Sequence, residues 1–215
     1  MSLHGELRVV EHVPRAFAAL VAEEAPASLA LSGGSTARES YELLAVAEVS
    51  WGEVDVFFGD ERWVPVDDPE SNEGMARHAF VDQVKPRAVY SMRHAGDTIE
   101  HAADGYDRLL RDYGPLGLVH LGLGPDGHTA SLFPGSPALD ERERFVVETG
   151  DDKHPHRRIT FTFPAIARCH LALVTVAGED KREAVARIKA GEDLPGARIR
   201  AERVLWLGDR AALGD

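Results

Sequence analysis

The chain has 215 residues, 44% hydrophobic and 28% charged, which suits one sizeable hydrophobic core and is short for two. Its formal net charge of −12 repels polyanions, so nucleic acid is an unfavourable partner, and an anionic ligand would need a locally basic pocket. The single cysteine, Cys169, allows no intramolecular disulfide, Met1 to Glu24 mix both signs of charge without a signal-type apolar core, and no apolar run reaches the roughly 20 residues that span a bilayer. The expectation is a cytoplasmic single domain over residues 1–215, free of membrane, acting as a monomer or weak homodimer.

In chain order, Leu7–Val10 reads as a strand and Pro14–Ala25 as a helix with Phe17, Leu20 and Val21 on one face. Ser28–Leu31 is a strand running into Ser32-Gly33-Gly34-Ser35-Thr36, and the helix that follows has Tyr41, Leu43 and Leu44 on its apolar side. Val54–Phe58 is a strand ending at Gly59-Asp60-Glu61-Arg62. Asn72–Val81 reads as a helix capped by Ser71, Ala88–Met92 as a strand and Asp97–Tyr113 as a helix. Leu116–Leu123 is a strand flowing into Gly124-Pro125-Asp126-Gly127-His128. Phe145–Glu148, Arg158–Phe163 and Leu171–Val176 are strands, Glu179–Ala190 is a helix stopped near Gly191, and Val204–Leu207 is a last strand.

Near-continuous apolar strands separated by helices predict an α/β fold, with a mostly parallel sheet and helices on both faces. In such sheets ligands bind beyond the carboxyl ends of the strands. Three polar loops, Ser32–Thr36, Gly59–Arg62 and Gly124–Ser131, fall at those ends.

Each loop has a chemical reading and a structural one. Gly33 and Gly34 allow close backbone approach, the helix N-terminus offers N–H groups, and Ser35 and Thr36 add hydroxyls, which together make a phosphate cradle. The same residues also describe a tight turn with Ser35 as helix cap. Asp60, Glu61 and Arg62 are either a solvated loop with an Asp–Arg pair or an acid/base and charge clamp. Gly124, Pro125 and Gly127 dictate a sharply folded loop on which Asp126 and His128 sit two apart; a carboxylate close to an imidazole is the usual setting of a general base, against the reading of a turn with an exposed histidine. Lys181, in the first turn of its predicted helix, opposes the helix dipole and is either solvated or reaching for an anion. His154 and His156 lack the partners of a zinc site, no G-x-S-x-G elbow surrounds Ser131 or Ser136, and no metal is expected.

Leu31–Thr36, Phe58-Gly59-Asp60-Glu61-Arg62-Trp63-Val64-Pro65, Ser71-Asn72, Gly122–Gly135 and Arg158-Ile159-Thr160 together resemble the 6-phosphogluconolactonase family, in the glucosamine/galactosamine-6-phosphate isomerase superfamily. The motifs stand in the family's order over nearly the whole chain, and Gly-Pro-Asp-Gly-His-Thr-Ala-Ser-Leu-Phe-Pro is highly specific. The resemblance implies a Rossmann-like fold, no metal, no cofactor, and hydrolysis of 6-phospho-D-glucono-1,5-lactone to 6-phosphogluconate in the oxidative pentose phosphate pathway. It implies that Gly33, Gly34, Ser35 and Thr36 hold the phosphate with Arg158 and Lys181, that His128 is the general base, and that Asp60, Arg62 and Asn72 line the sugar side. Ala37 stands where the family often has proline, which touches helix rigidity more than chemistry.

Asp126 is the nearest group to orient His128, Asp60 is the next candidate base, and either Arg62 or loop backbone N–H groups would meet the oxyanion. Glucosamine-6-phosphate deaminases are similar at the phosphate loop and at Asp-Gly-His, but continue with Asn-Glu-Pro. Thr129-Ala130-Ser131 stand here instead, which ranks lactone hydrolysis ahead of isomerisation. A non-catalytic sugar-phosphate sensor is a third reading, with no spare length expected for a DNA-binding module.

Overall fold

Aliphatic and β-branched runs become strands, and the amphipathic stretches between them become helices, in the computed structural model, which describes residues 3–150 and 155–214. In chain order the first elements are β1 (Glu6–Val9), α1 (Val13–Glu24), β2 (Ser28–Leu31), α2 (Ser35–Leu44), β3 (Asp55–Phe58) and β4 (Asp60–Arg62). Next come α3 (Asn72–Ala76), a π turn (Arg77–Val81), α4 (Asp82–Val84), β5 (Ala88–Val89), α5 (Ile99–Tyr113) and β6 (Leu118–Gly122). The chain continues through β7 (Val146–Thr149), β8 (Arg158–Phe161), α6 (Phe163–Ala167), β9 (Leu171–Val176), α7 (Arg182–Lys189), β10 (Arg203–Gly208) and α8 (Arg210–Leu213).

Seven strands form a sheet in the order β1-β10-β9-β6-β2-β3-β5, every neighbouring pair parallel. All residues of β2, β3 and β9 are buried, as strands covered on both faces must be. The helices earn their places by period. In α5, Ile99, Ala102, Ala103, Tyr106 and Leu110 fall on one buried stripe, Thr98 caps the start by accepting from the His101 N–H at 3.2 Å, and Gly114 ends it with φ +102°. From β2 the chain moves outward to β3 and β5, then returns to β6 and moves the other way to β9 and β10. The direction reverses between β2 and β6, and there the loops beyond the strands part to leave a crevice.

Three expectations are corrected. Asp60–Arg62 is a strand, not a loop: β4 pairs antiparallel with β8, and β7 completes a second, three-stranded sheet. The partner strand lies far along the chain, so no local pattern marks the pairing. The strand expected over Arg158–Phe163 stops at Phe161, because Thr162 caps α6 and Pro164 sits in its first turn. The helix expected over Glu179–Ala190 divides into a 3₁₀ turn, Glu179–Lys181, and α7. Ser71 does cap α3, accepting the Gly74 N–H at 2.9 Å.

Glu61 holds the second sheet to α3. Its carboxylate is 2% exposed and accepts from the Ser71 hydroxyl (2.9 Å), the Asn72 and Glu73 N–H groups (2.8 and 2.7 Å) and its neighbour Arg62 N–H (2.7 Å). Burial pushes the Glu61 carboxyl above its usual range, against these hydrogen bonds, which favour the anion. An anion at a helix N-terminus also meets the positive end of the dipole. Glu61→Ala strands these donors and is expected to lower folding stability by about 3 kcal/mol, with Glu61→Gln costing less because one acceptor oxygen remains. The urea midpoint measures both; an unmoved midpoint for Glu61→Ala would mean that these contacts carry no stability.

Candidate active site

A cavity of about 260 Å³ fills the crevice between β2 and β6. That is below the ~300–1,000 Å³ of drug-sized ligand pockets and fits one sugar ring better than a dinucleotide. Its first wall is Ser32–Thr36. Gly34, at φ +97°, occupies the N-cap of α2 with no side-chain cap, and Ser35 is the first helical residue rather than the cap. The first-turn N–H groups of α2 therefore have no side chain bound across them, and Ser35 and Thr36 line the cavity. Gly33 is required by its neighbour: a Cβ there would lie 1.9 Å from Asn72 Oδ1. The loop is pinned from below where the Ser32 N–H donates to the buried Tyr41 hydroxyl at 2.6 Å.

The second wall is β4 with β8. Asp60 and Glu61 are buried rather than solvated, which sets aside the reading of a solvated loop with an Asp–Arg pair. Asp60 accepts from Ser131 Oγ at 2.6 Å and from Asn72 Nδ2, which also donates to the Asp60 carbonyl at 3.0 Å. Arg62 instead donates to the Glu70 carbonyl at 2.6 Å, with the Glu70 carboxylate 3.4 Å away. Arg158 stands directly opposite Arg62 across the β4–β8 ladder. It is 7% exposed, its Nε has no hydrogen-bond partner, and among the described residues no carboxylate pairs with it. Burial and then the nearby Arg62 charge pull its guanidinium below the usual arginine range. A buried cation beside a like charge is costly unless an anion joins it.

The third wall is the folded loop after β6. Gly124 N–H donates to the His128 carbonyl (2.8 Å) and Gly127 N–H to the Gly124 carbonyl (2.9 Å). Asp126 Oδ1 accepts from the His128 backbone N–H at 3.1 Å and lies 2.5 Å from His128 Nδ1, which assigns the ring proton to Nδ1 and leaves Nε2 as the basic nitrogen. Burial tends to raise the Asp126 carboxyl, but the His128 hydrogen bonds and charge outweigh it and hold the group below the usual carboxylate range. Ala130, lining the cavity, takes φ +48°, an uncommon conformation for a residue with a Cβ. The His128 ring packs on Phe133 (4.6 Å between centroids), and the Arg158 guanidinium lies 5.4 Å from the same Phe133 ring.

Ser32, Gly33, Gly34, Ser35, Thr36, Asp60, Arg62, Asn72, His128, Arg158 and Lys181 thus line one cavity, while Asp126 stands behind His128. Lys181 is ion-paired to Asp180 at 2.8 Å, which offsets its position against the dipole. His154 lies outside the described residues, His156 is half-buried, and no cluster of three metal-ligating side chains occurs among the described residues. Sequence reasoning missed Ser131, Tyr41, His120 and Thr175. The last two line the cavity, and their signal was a polar residue inside an apolar strand.

The profile of the family described as glucosamine-6-phosphate isomerases/6-phosphogluconolactonase matches residues 6–206. The chain is 39% identical to a 6-phosphogluconolactonase of Synechocystis, over 89% of this chain and 85% of that protein. It is 39% identical to one of Mycobacterium tuberculosis, over 92% and 88%. The crystal structure of 6-phosphogluconolactonase from Thermotoga maritima superposes with a TM-score of 0.83 at 25% identity, covering 95% of this chain and 99% of that one.

Gly124 gives the histidine its room: a Cβ there would sit 2.1 Å from two atoms of the His128 ring and 2.9 Å from Asp126 Oδ1. Gly124→Ala is expected to push the ring off Asp126 and, if the Asp126–His128 pair takes part in turnover, to lower kcat by about 10²-fold. Steady-state kinetics beside a thermal melt test this; a folded variant with wild-type kcat would dissociate the Asp126–His128 contact from turnover.

Proposed function

This chain belongs to the family of glucosamine-6-phosphate isomerases and 6-phosphogluconolactonases, and on that premise we propose that it hydrolyses 6-phospho-D-glucono-1,5-lactone to 6-phosphogluconate by general-base activation of water. The observation that carries the reading is the buried Arg158, with no carboxylate partner among the described residues, in the same cavity as an imidazole held by a carboxylate. One end of the site calls for an anion and the other removes a proton.

The phosphate sits on Ser32–Thr36 at the open N-terminus of α2, with Arg158 and Lys181 as cations; it displaces Asp180 from Lys181. Asp60 and Asn72 border the sugar hydroxyls. The ester carbonyl is already electrophilic, so an activated water and an oxyanion site suffice. Water gives a proton to His128 Nε2 as its oxygen attacks the lactone carbonyl. Asp126 stabilises the imidazolium that forms. The N–H groups of Gly124, Gly127, His128 and Ser131 are already engaged within the protein, which favours Arg62, whose Nε has no partner, as the oxyanion donor. Collapse of the tetrahedral species breaks the ring C–O bond, and the proton on His128 passes to the departing oxygen.

Isomerisation of an amino sugar needs a second acid/base to carry protons between neighbouring carbons. The carboxylates lining the cavity are Asp60, bound to Ser131 and Asn72, and Asp180, bound to Lys181. Water and side chains alone supply the proposed chemistry, without a cofactor. The described residues contain no helix long and apolar enough to cross a membrane, and the acidic surface supports a protein that acts apart from nucleic acid, in the cytoplasm, as a monomer or weak homodimer.

The test follows lactone loss in a coupled assay against the unaided hydrolysis; a rate no faster than the blank would sink the proposal. His128→Asn is expected to lower kcat by roughly 10²–10⁴-fold with little change in KM. In the native protein log(kcat/KM) is expected to rise with pH with a slope of one. Asp126 titrates below the ordinary carboxylate range, so its own protonation enters only at acid pH. A limb that survives in His128→Asn would place the base elsewhere, and a slope of two would mean that a second group must lose its proton as well.

Arg158→Ala is expected to act on binding, raising KM by roughly ten- to a hundredfold, as loss of one charge-assisted hydrogen bond does, while kcat changes little. An unchanged KM would remove Arg158 from the phosphate site.

A further inference from the structure

Beneath the phosphate loop lies a chain of polar groups that none of the steps above uses. His120 projects from β6 and is wholly buried, with the Phe17 ring packed on it at 4.2 Å between centroids. Its Nδ1 lies 2.7 Å from the Tyr41 hydroxyl and its Nε2 lies 2.9 Å from Thr175 Oγ1 on β9. Tyr41 in turn accepts the Ser32 N–H at 2.6 Å and has the Ser32 carbonyl 3.2 Å away. Thr175 lines the cavity near the carboxyl end of β9, the strand that leads into the turn carrying Lys181.

Burial pulls the His120 imidazole down to about 3, so the ring carries one proton, and the two ends of the chain are coupled through it. Two arrangements are compatible with the ring contacts. In one, Thr175 donates to Nε2, Nδ1–H donates to Tyr41, and Tyr41 donates to the Ser32 carbonyl. In the other, Tyr41 donates to Nδ1 and Nε2–H donates to Thr175, so the threonine hydroxyl proton is directed into the cavity. Only the second offers a donor to a bound anion; the 2.7 Å contact between Tyr41 and His120 is made in both, and the second gives up the longer, 3.2 Å contact to the Ser32 carbonyl. A donor fixed in advance costs no reorientation when the anion arrives.

We infer that Thr175 is a substrate-binding residue whose hydroxyl donates to a phosphoryl oxygen of the bound sugar phosphate, and that His120 is a positioning residue which sets the direction of that hydroxyl from the Tyr41 side. The inference rests on the placement of the phosphate proposed above. Binding the anion also turns Tyr41 away from the Ser32 carbonyl, so ligand and phosphate loop are linked through the ring.

The experiment is a binding titration and does not depend on turnover. Inorganic phosphate and 6-phosphogluconate serve as probes, read by the ¹⁵N–¹H long-range spectrum of the His120 ring in the native protein. The loaded protein is expected to hold His120 as the Nε2–H form. Thr175→Val is expected to weaken 6-phosphogluconate about tenfold and to raise KM equally with kcat little changed, the effect of one hydrogen bond to a charged group. Thr175→Ser restores both. An Nδ1–H ring in the loaded protein, or equal affinity in Thr175→Val, overturns the inference. Native protein that binds 6-phosphogluconate but leaves the lactone untouched would overturn the proposed hydrolysis and leave this assignment standing.

Discussion

Gly59 is where the chain passes from one sheet to the other. Its N–H is held by the Leu31 carbonyl at the end of β2, and its own carbonyl accepts from Phe161 of β8, both at 2.8 Å. Through this peptide the parallel sheet and the small antiparallel sheet share one set of hydrogen bonds at the edge of the crevice. Asp60 and Arg62 follow within three residues, and the ladder they enter brings Arg158 opposite Arg62. Loss of that junction would separate the cationic wall from the loop Ser32–Thr36 and from the loop of His128, and neither sheet alone forms the cavity.

The electrostatics of the site run against those of the protein as a whole. With a net charge of −12, a sugar phosphate is repelled at long range and attracted only where cations gather. The cations in the cavity are treated unequally. Glu70 meets Arg62, Asp180 meets Lys181, and Arg158 is buried without such a neighbour among the described residues. The nearest buried acids are committed elsewhere: Glu61 to the first turn of α3, and Asp60 to Ser131 and Asn72. Those bonds turn both carboxylates toward neutral donors, so neither forms an ion pair with Arg158, although their charges still favour the guanidinium from a distance.

The loop after β6 shows how closely packing and chemistry are joined. Asp126 reaches His128 because Gly124 leaves space for the ring and Gly127, at φ +86°, closes the turn against Leu194. Ser131 then fastens the far end of the loop, its N–H on Thr160 and its hydroxyl on Asp60. The histidine is therefore held at one end by its own turn and at the other by the second sheet.

Much of this was legible in the sequence. Strand and helix periods placed β2 and β9 to the residue, and the glycine and proline pattern of residues 124–127 marked a sharp turn with Asp126 the nearest candidate partner of His128, a contact the structure then made. The clustering of polar loops at strand carboxyl ends pointed to the crevice as well. Only the tertiary structure decided that Asp60–Arg62 is a strand, that Glu61 caps α3, that Arg158 faces Arg62 across a ladder, and that His120 joins Tyr41 to Thr175. These contacts close long loops of chain, and no local period or turn residue records them. A charged triplet or a lone histidine in an apolar run has the same local signature whether its partners lie in water or on a strand far along the chain, and packing alone determines which.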